Sequence, residues 1–320
     1  MTLAKLTRDQ NSLPPIGQVP LGNDTIRFDF MAESQIQHTK AIFYMTGAIA
    51  SFVAMAVAGR AVSFQLDTFE IMLFRSFIGF LLVLGFILVR DEGKNISRRH
   101  MGIHVIRNLF HFTGQNLWFF AITVIPLAQV FALEFTTPLW ILILSPFILG
   151  ERLTRKNISV GLIGFGGALL VAQPAMSGLS FGVMSAALAA VGFAGSIVLT
   201  KKLTQSETIL TVLFYMTLFQ LGFGLICAGY DGDIALPSAQ NLPWVILIAC
   251  AGLTAHFSLT TALSLAPATL IAPIDFIRLP AIVVIGFIFY SEPVDALVIL
   301  GAGIIFAANY LNILGERNQS

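Results

Sequence analysis

The chain has 320 residues, of which 56% are hydrophobic and 11% charged, against roughly 25% charged in ordinary soluble domains. This composition excludes a large soluble catalytic domain. Its 18 basic and 17 acidic residues give a net charge of +1, which supplies neither the basic field that nucleic-acid binding requires nor a strongly acidic one.

Residues 1–38 are polar and contain Pro14, Pro15, Asp24 and Asp29, with no apolar stretch to form the core of a cleaved signal peptide. They are expected to form a disordered cytosolic tail. From there, apolar windows of about 20 residues, the length needed to span a bilayer, recur between charged or turn-rich breaks. The expected spans cover residues 41–59, 68–89, 104–122, 126–149, 158–174, 181–200, 208–229, 242–263, 268–290 and 295–314. The expected fold is an all-α integral membrane protein of ten transmembrane helices. Cys227 and Cys250 lie inside apolar runs and imply neither a disulfide nor a thiolate metal site.

Basic residues near span ends stay on the cytosolic side. With the N-terminus inside, 15 of the 18 fall in cytosolic segments: four through Lys40, five from Arg90 to Arg107, three from Arg152 to Lys156, then Lys201, Lys202 and Arg317. Arg60 falls outside, while Arg75 and Arg278 lie within spans. Both termini are therefore expected in the cytosol.

The chain also repeats itself at a constant offset of 141 residues. Phe52 meets Phe193, Thr113 meets Thr254, Pro126 meets Pro267, Phe135 meets Phe276 and Glu151 meets Glu292. Five spans per half is an odd number, so the halves enter the membrane in opposite senses and matching loops should carry opposite charge. The basic 90–99 loop matches the Asp231/Asp233 loop, and the basic 152–156 loop matches Glu292/Asp295. The expectation is two inverted five-helix repeats, residues 39–176 and 180–317, with substrate held between them near the bilayer midplane.

Charge inside a span is costly, about 3 kcal/mol per group on insertion scales, and marks function by default. Four such residues occur: Arg75 in the second span, Glu134 in the fourth, and Asp275 and Arg278 in the ninth. Glu134 and Asp275 are related by the 141-residue offset. The competing explanation is that the four simply neutralise one another as buried pairs, with Asp275 and Arg278 three apart on one helical face.

Prolines bear on the same spans. Each removes the hydrogen bond to the carbonyl four residues earlier, so Pro138 frees that of Glu134, Pro280 that of Phe276 and Pro273 that of Thr269. Both acid-bearing helices are expected to bend beside their acids, as hinges or as packing kinks. In the third span Arg107, His111 and Gln115 make a polar stripe every four residues. Trp118 follows Gln115 by three, and Gln115 matches His256 in the eighth span. These four spans, with the first and sixth, are expected to line one cavity.

Gly161, Gly164, Gly166 and Gly167 follow no strand and read as helix packing rather than a phosphate loop. No metal site or cofactor is indicated, because His100, His104 and His111 lack a thiolate or carboxylate at ligand spacing.

Ile125-Pro126-Leu-Ala-Gln-Val, Phe135-Thr-Thr-Pro138-Leu and Leu149-Gly150-Glu151-Arg152-Leu, with the glycine-rich span 161–170 and Phe74-Arg75, resemble the EamA family of the drug/metabolite transporter superfamily. The resemblance runs from about residue 40 to 314. It is weaker in the second half, where Ser291-Glu292-Pro293 replaces Leu-Gly-Glu-Arg and Met216 stands opposite Arg75. It implies an inner-membrane permease that moves a small-molecule substrate by alternating access: an amino acid, a vitamin or a nucleotide-derived metabolite, riboflavin and S-adenosylmethionine among them. Export of amino acids or drugs on the same fold is an alternative.

On this reading Glu134 couples protons or binds an amine, Asp275 with Arg278 is its counterpart, and Arg75 is a counter-ion or carboxylate contact. Gln115, His256, His111 and Trp118 are candidate substrate contacts, and Pro138, Pro280 and Pro273 candidate hinges. Partners would be the small molecule, the lipid bilayer and protons as a candidate coupling ion, with a homodimer as a further candidate. The rival class is an intramembrane lipid-modifying enzyme, which would place its acids near the membrane surface rather than at mid-span.

Overall fold

The computed structural model describes residues 22–172, 180–291 and 296–308 apart from 298, 302, 305 and 306. It is helical throughout, with no strand among the described residues. The first half contains α1 (Gly22–Val62), α2 (Thr68–Arg90), α3 (Met101–Val124), α4 (Leu127–Glu134), α5 (Thr137–Ile148) and α6 (Arg155–Ala172). The second contains α7 (Phe181–Leu203), α8 (Ile209–Ala228), α9 (Leu242–Leu265), α10 (Ala268–Ile274), a 3-10 turn at Asp275–Ile277 and α11 (Arg278–Tyr290).

Because α1 begins at Gly22, residues 22–38 of the expected tail are helical; after Gly22 that stretch has no glycine or proline to stop a helix. Residues 1–21 lie outside the described residues.

Among the described residues, six helical stretches are long and apolar enough to cross a membrane: Ile36–Val62, Thr68–Arg90, Leu127–Ile148, Phe181–Leu203, Ile209–Ala228 and Leu242–Leu265. The protein is thus a multi-pass membrane protein. Three of the other four expected spans fall short of that measure for visible reasons. Along α3 run Arg107, Asn108, His111, Gln115 and Asn116; the ninth is interrupted at Asp275–Ile277; the tenth lies partly outside the described residues.

Caps define several helix starts. Asp67 and Glu70 form a reciprocal box at α2, with Glu70 N–H donating to Asp67 Oδ1 at 2.8 Å and Asp67 N–H to Glu70 Oε2 at 2.9 Å. Ser180 Oγ and Thr208 Oγ1 accept from Val183 and Thr211 N–H to open α7 and α8.

The tightest packing joins elements from different halves. α1 lies along α9, and α3 along α7; the 141-residue offset exchanges these two pairs. α2 packs on α8, its own counterpart. The α3–α7 crossing is close because it is built on glycine: a Cβ on Gly192 would come within 2.9 Å of Gly114 Cα and of Phe110 O. Phe77, Leu81, Phe86, Leu88, Phe287 and Phe289 point outward and are exposed, as lipid-facing residues must be.

Candidate functional site

The acid-bearing helices are broken beside their acids, and the break recurs at the offset. α4 ends at Glu134 and α5 starts at Thr137, with Pro138 in its first turn. Pro138 cannot donate to the Glu134 carbonyl; Thr137 Oγ1 does so instead, at 2.5 Å. In the second half α10, which holds Pro273 in its last turn, gives way to the 3-10 turn at Asp275–Ile277, and Pro280 follows as the third residue of α11. Such irregular backbone is tolerated at membrane depth where protein covers it or a cavity adjoins it.

Between the halves lies a narrow cavity in which water centres can occupy about 60 Å³, room for only a few molecules at roughly 10–15 Å³ each. Its wall comes from α1, α3, the α4–α5 pair, α7, α9 and the α10–α11 pair. Eight of the expected residues are brought together here: His111, Gln115, Trp118, Glu134, Pro138, His256, Asp275 and Arg278. Offset partners line it jointly, namely Phe52 with Phe193, Gln115 with His256, and Glu134 with Asp275.

The two ends of the cavity differ in chemistry. At one end Arg278, 3% exposed, donates through Nη2 to Glu134 Oε1 at 2.5 Å and to Asp275 Oδ2 at 2.6 Å. Trp118 Nε1–H donates to the second Glu134 oxygen at 2.6 Å. The guanidinium carbon stands 5.0 Å from the ring centres of Phe52 and Phe131 and 5.4 Å from that of Phe135, a cation–π cage. One base between two acids leaves one negative charge in excess when both acids are ionised, and Asp275 Oδ1 has no hydrogen-bond partner among the described residues.

At the other end Arg107, 2% exposed, donates Nε–H to Thr200 Oγ1 at 3.0 Å and Nη1–H to Asn108 Oδ1 at 2.9 Å. His111 and His256 meet edge to face with ring centres 4.5 Å apart.

Arg75 and Pro280 sit apart. Arg75 does not line this cavity; it lies one layer behind, donating Nη1–H to Gln115 Oε1. Its guanidinium rests on Gly252, where an added Cβ would come within 2.6 Å of Nε. Pro280 flanks the cavity without lining it, and the side chain of Pro273 lies outside the described residues. Sequence reasoning missed Arg107, Ser196, Thr200 and Thr137 as lining residues. Arg107 is counted among the cytosolic bases although its four-residue spacing from His111 already puts it on the polar stripe; it sits inside α3.

A helical membrane protein whose matching halves enclose a small cavity with buried charge has the construction of a carrier. The chain belongs to the EamA-like transporter family, whose model matches residues 39–173 and again 180–314, and it is a membrane transporter. It is 27% identical to the S-adenosylmethionine uptake transporter of Rickettsia felis over 86% of this chain and 94% of that one. It is 30% identical to the riboflavin transporter of Brucella anthropi, covering 70% and 80%, and 29% identical to the pseudopaline exporter of Pseudomonas aeruginosa, covering 81% and 90%. A solved crystal structure, 17% identical, shares the fold with a TM-score of 0.68, covering 90% of this chain and 99% of that one.

Proposed function

We propose that the protein is a secondary active transporter that carries a small organic metabolite across the bacterial inner membrane by alternating access. The halves, residues 39–176 and 180–317, are inverted five-helix repeats giving ten crossings, with both termini in the cytosol. The observation that carries this reading is the offset-related lining of one cavity: Glu134 with Asp275, and Gln115 with His256, face the same space. The matching breaks at Pro138 and at Asp275–Ile277 support it, because each gives a half a place to flex, with Pro273 and Pro280 flanking the second. Substrates transported by the relatives, S-adenosylmethionine and riboflavin, set the size range. The narrow cavity must widen to admit molecules of that size, as a carrier's does when it opens to one side.

Glu134 is the proton-coupling group in this proposal. It shares Arg278 with Asp275, so a proton on either acid leaves the guanidinium to the other and shifts the contact between halves. Trp118 and the phenylalanine cage offer a ring surface, and His111, Gln115 and His256 the polar contacts.

Counterflow into proteoliposomes of labelled S-adenosylmethionine and of labelled riboflavin tests transport directly. The label is expected to accumulate and to be recovered chemically unchanged; a modified product would identify an intramembrane enzyme instead. Across an imposed pH gradient Glu134→Gln is expected to lose at least tenfold in proton-driven uptake, and normal gradient-driven uptake by this variant would remove Glu134 from coupling. The exporter reading, favoured by the pseudopaline relative, predicts that everted vesicles load faster than right-side-out ones.

A further inference from the structure

We propose that the Arg107 end of the cavity is an anion subsite, so that the transported metabolite carries a carboxylate or phosphate there and presents a ring or cation to Trp118 and Glu134. The inference rests on the transport reading above and narrows its substrate class. Two buried guanidiniums, Arg75 and Arg107, have no carboxylate within ion-pair distance among the described residues. Among the described residues Arg107 donates to the neutral oxygens of Thr200 and Asn108. Arg75 donates to Gln115 and to the Met72 sulfur, and its Nε has no acceptor among the described residues.

Arg278 at the opposite end has two carboxylates to itself. A cation held inside a membrane span without a counter-charge is expensive, and the missing negative charge is what an anionic ligand brings.

The donors for such a group are already in place. His111 Nε2 and both ring nitrogens of His256 are buried with no hydrogen-bond partner among the described residues, and both rings line the cavity beside Arg107. A neutral imidazole keeps one N–H to donate, so with the guanidinium the subsite can satisfy an oxyanion through several charge-assisted or neutral bonds. Gln115 ties this wall to Arg75 behind it, which adds a second positive charge without touching the ligand.

Helical geometry sets the length of the ligand. His111 and Trp118 are seven residues apart on α3, about 10 Å along the axis at 1.5 Å per residue. A molecule that reaches both ends is therefore elongated, with its anion about 10 Å from a ring or cation, and a small free amino acid is too short.

The test is competition in the counterflow assay, using the full chain and two matched probe pairs: S-adenosylmethionine with its decarboxylated counterpart, and riboflavin 5′-phosphate with riboflavin. The member that bears the carboxylate or phosphate in at least one pair is expected to compete at about tenfold lower concentration, the size of one charge-assisted hydrogen bond. Response in the first pair assigns a carboxylate, and in the second a phosphate. Arg107→Gln should reduce that advantage to about twofold or less while Arg107→Lys retains part of it, and the comparison in the unmodified protein decides even if a variant fails to fold. Equal competition within both pairs, or an advantage that survives Arg107→Gln, overturns the anion subsite and leaves transport standing. Absence of exchange or competition by all four probes overturns the transport reading, and this inference with it.

Discussion

At the end of α1, Arg60 donates Nη2–H to the carbonyl of Ile125, the residue that closes α3, at 3.3 Å. Exactly the matching residues meet in the second half, where Lys201 near the end of α7 donates to the carbonyl of Ala266, which closes α9, at 2.9 Å. The helix breaks correspond as well. Of the charges inside the spans only the acids Glu134 and Asp275 correspond; the bases do not, since Arg75 faces Met216 across the offset, Arg107 faces Ile248 and Arg278 faces Thr137, and His111 likewise faces Gly252. The halves thus share the features that shape and bend the backbone, and divide between them the groups that make one end of the cavity basic and the other acidic. A moving frame can be symmetric; a site for a molecule with two different ends cannot.

Breaking the acidic end should have the largest effect. Arg278→Met leaves Glu134 and Asp275 without their shared base, and removing one partner of a buried ion pair costs about 3–5 kcal/mol. Thermal unfolding of the purified protein in detergent should show that loss, while Arg75→Met, which strands no carboxylate, should cost clearly less. Equal losses would mean that the two guanidiniums are held in the same way, against the contrast drawn between the ends. Next in size is the α3–α7 crossing. Gly192→Ser must push against backbone atoms 2.9 Å away, an overpacking of about 1–3 kcal/mol. Its offset partner is already Ser51, so Ser51→Ala should stay within about 0.5 kcal/mol; a comparable loss at both positions would show that the two crossings are equally tight.

What the sequence made legible follows from what a repeat must preserve. Intramembrane charge singled out Glu134, Asp275 and Arg278, and helical periodicity put Gln115 and Trp118 on the face of α3 that meets them. That Arg278 serves both acids was not legible, because whether a base pairs with a neighbour three residues away or with an acid 144 residues away depends on how the halves dock. Arg107 was obscured by its position near a helix end, where hydropathy windows and loop counting overlap, and its partner Thr200 lies on another helix. Arg75 was recognisable as buried, yet its direction depends on Gly252 having no side chain to block it. The same polar stripe that makes α3 a cavity wall lowers its hydropathy, which is why α3 is not among the six clear membrane-spanning stretches.

The smallest expected effect lies in the paired turns with which the comparison began. Lys201 Nζ donates to two carbonyls, Leu263 at 2.6 Å and Ala266 at 2.9 Å, at the end of a helix whose last carbonyls are left open and carry partial negative charge. Just beyond that turn Glu151 of the other half accepts from Ala268 N–H at 3.1 Å, where the partial charge at the start of α10 is positive. The turn is therefore held by a base on one side and an acid on the other, and the acid couples it to the opposite half. Lys201→Met should cost about 0.5–1.5 kcal/mol, as for an ordinary intramolecular hydrogen bond, because Lys201 is only partly buried. The Arg60 bond is longer at 3.3 Å, and its guanidinium also lies 4.9 Å from the centre of the Tyr290 ring, a contact whose loss adds little at a partly exposed site. Arg60→Met should accordingly cost less than Lys201→Met when both are followed by thermal unfolding under the same conditions. The reverse order would place the firmer anchor in the first half and show that bond length at these turns does not set how strongly each half holds its own bend.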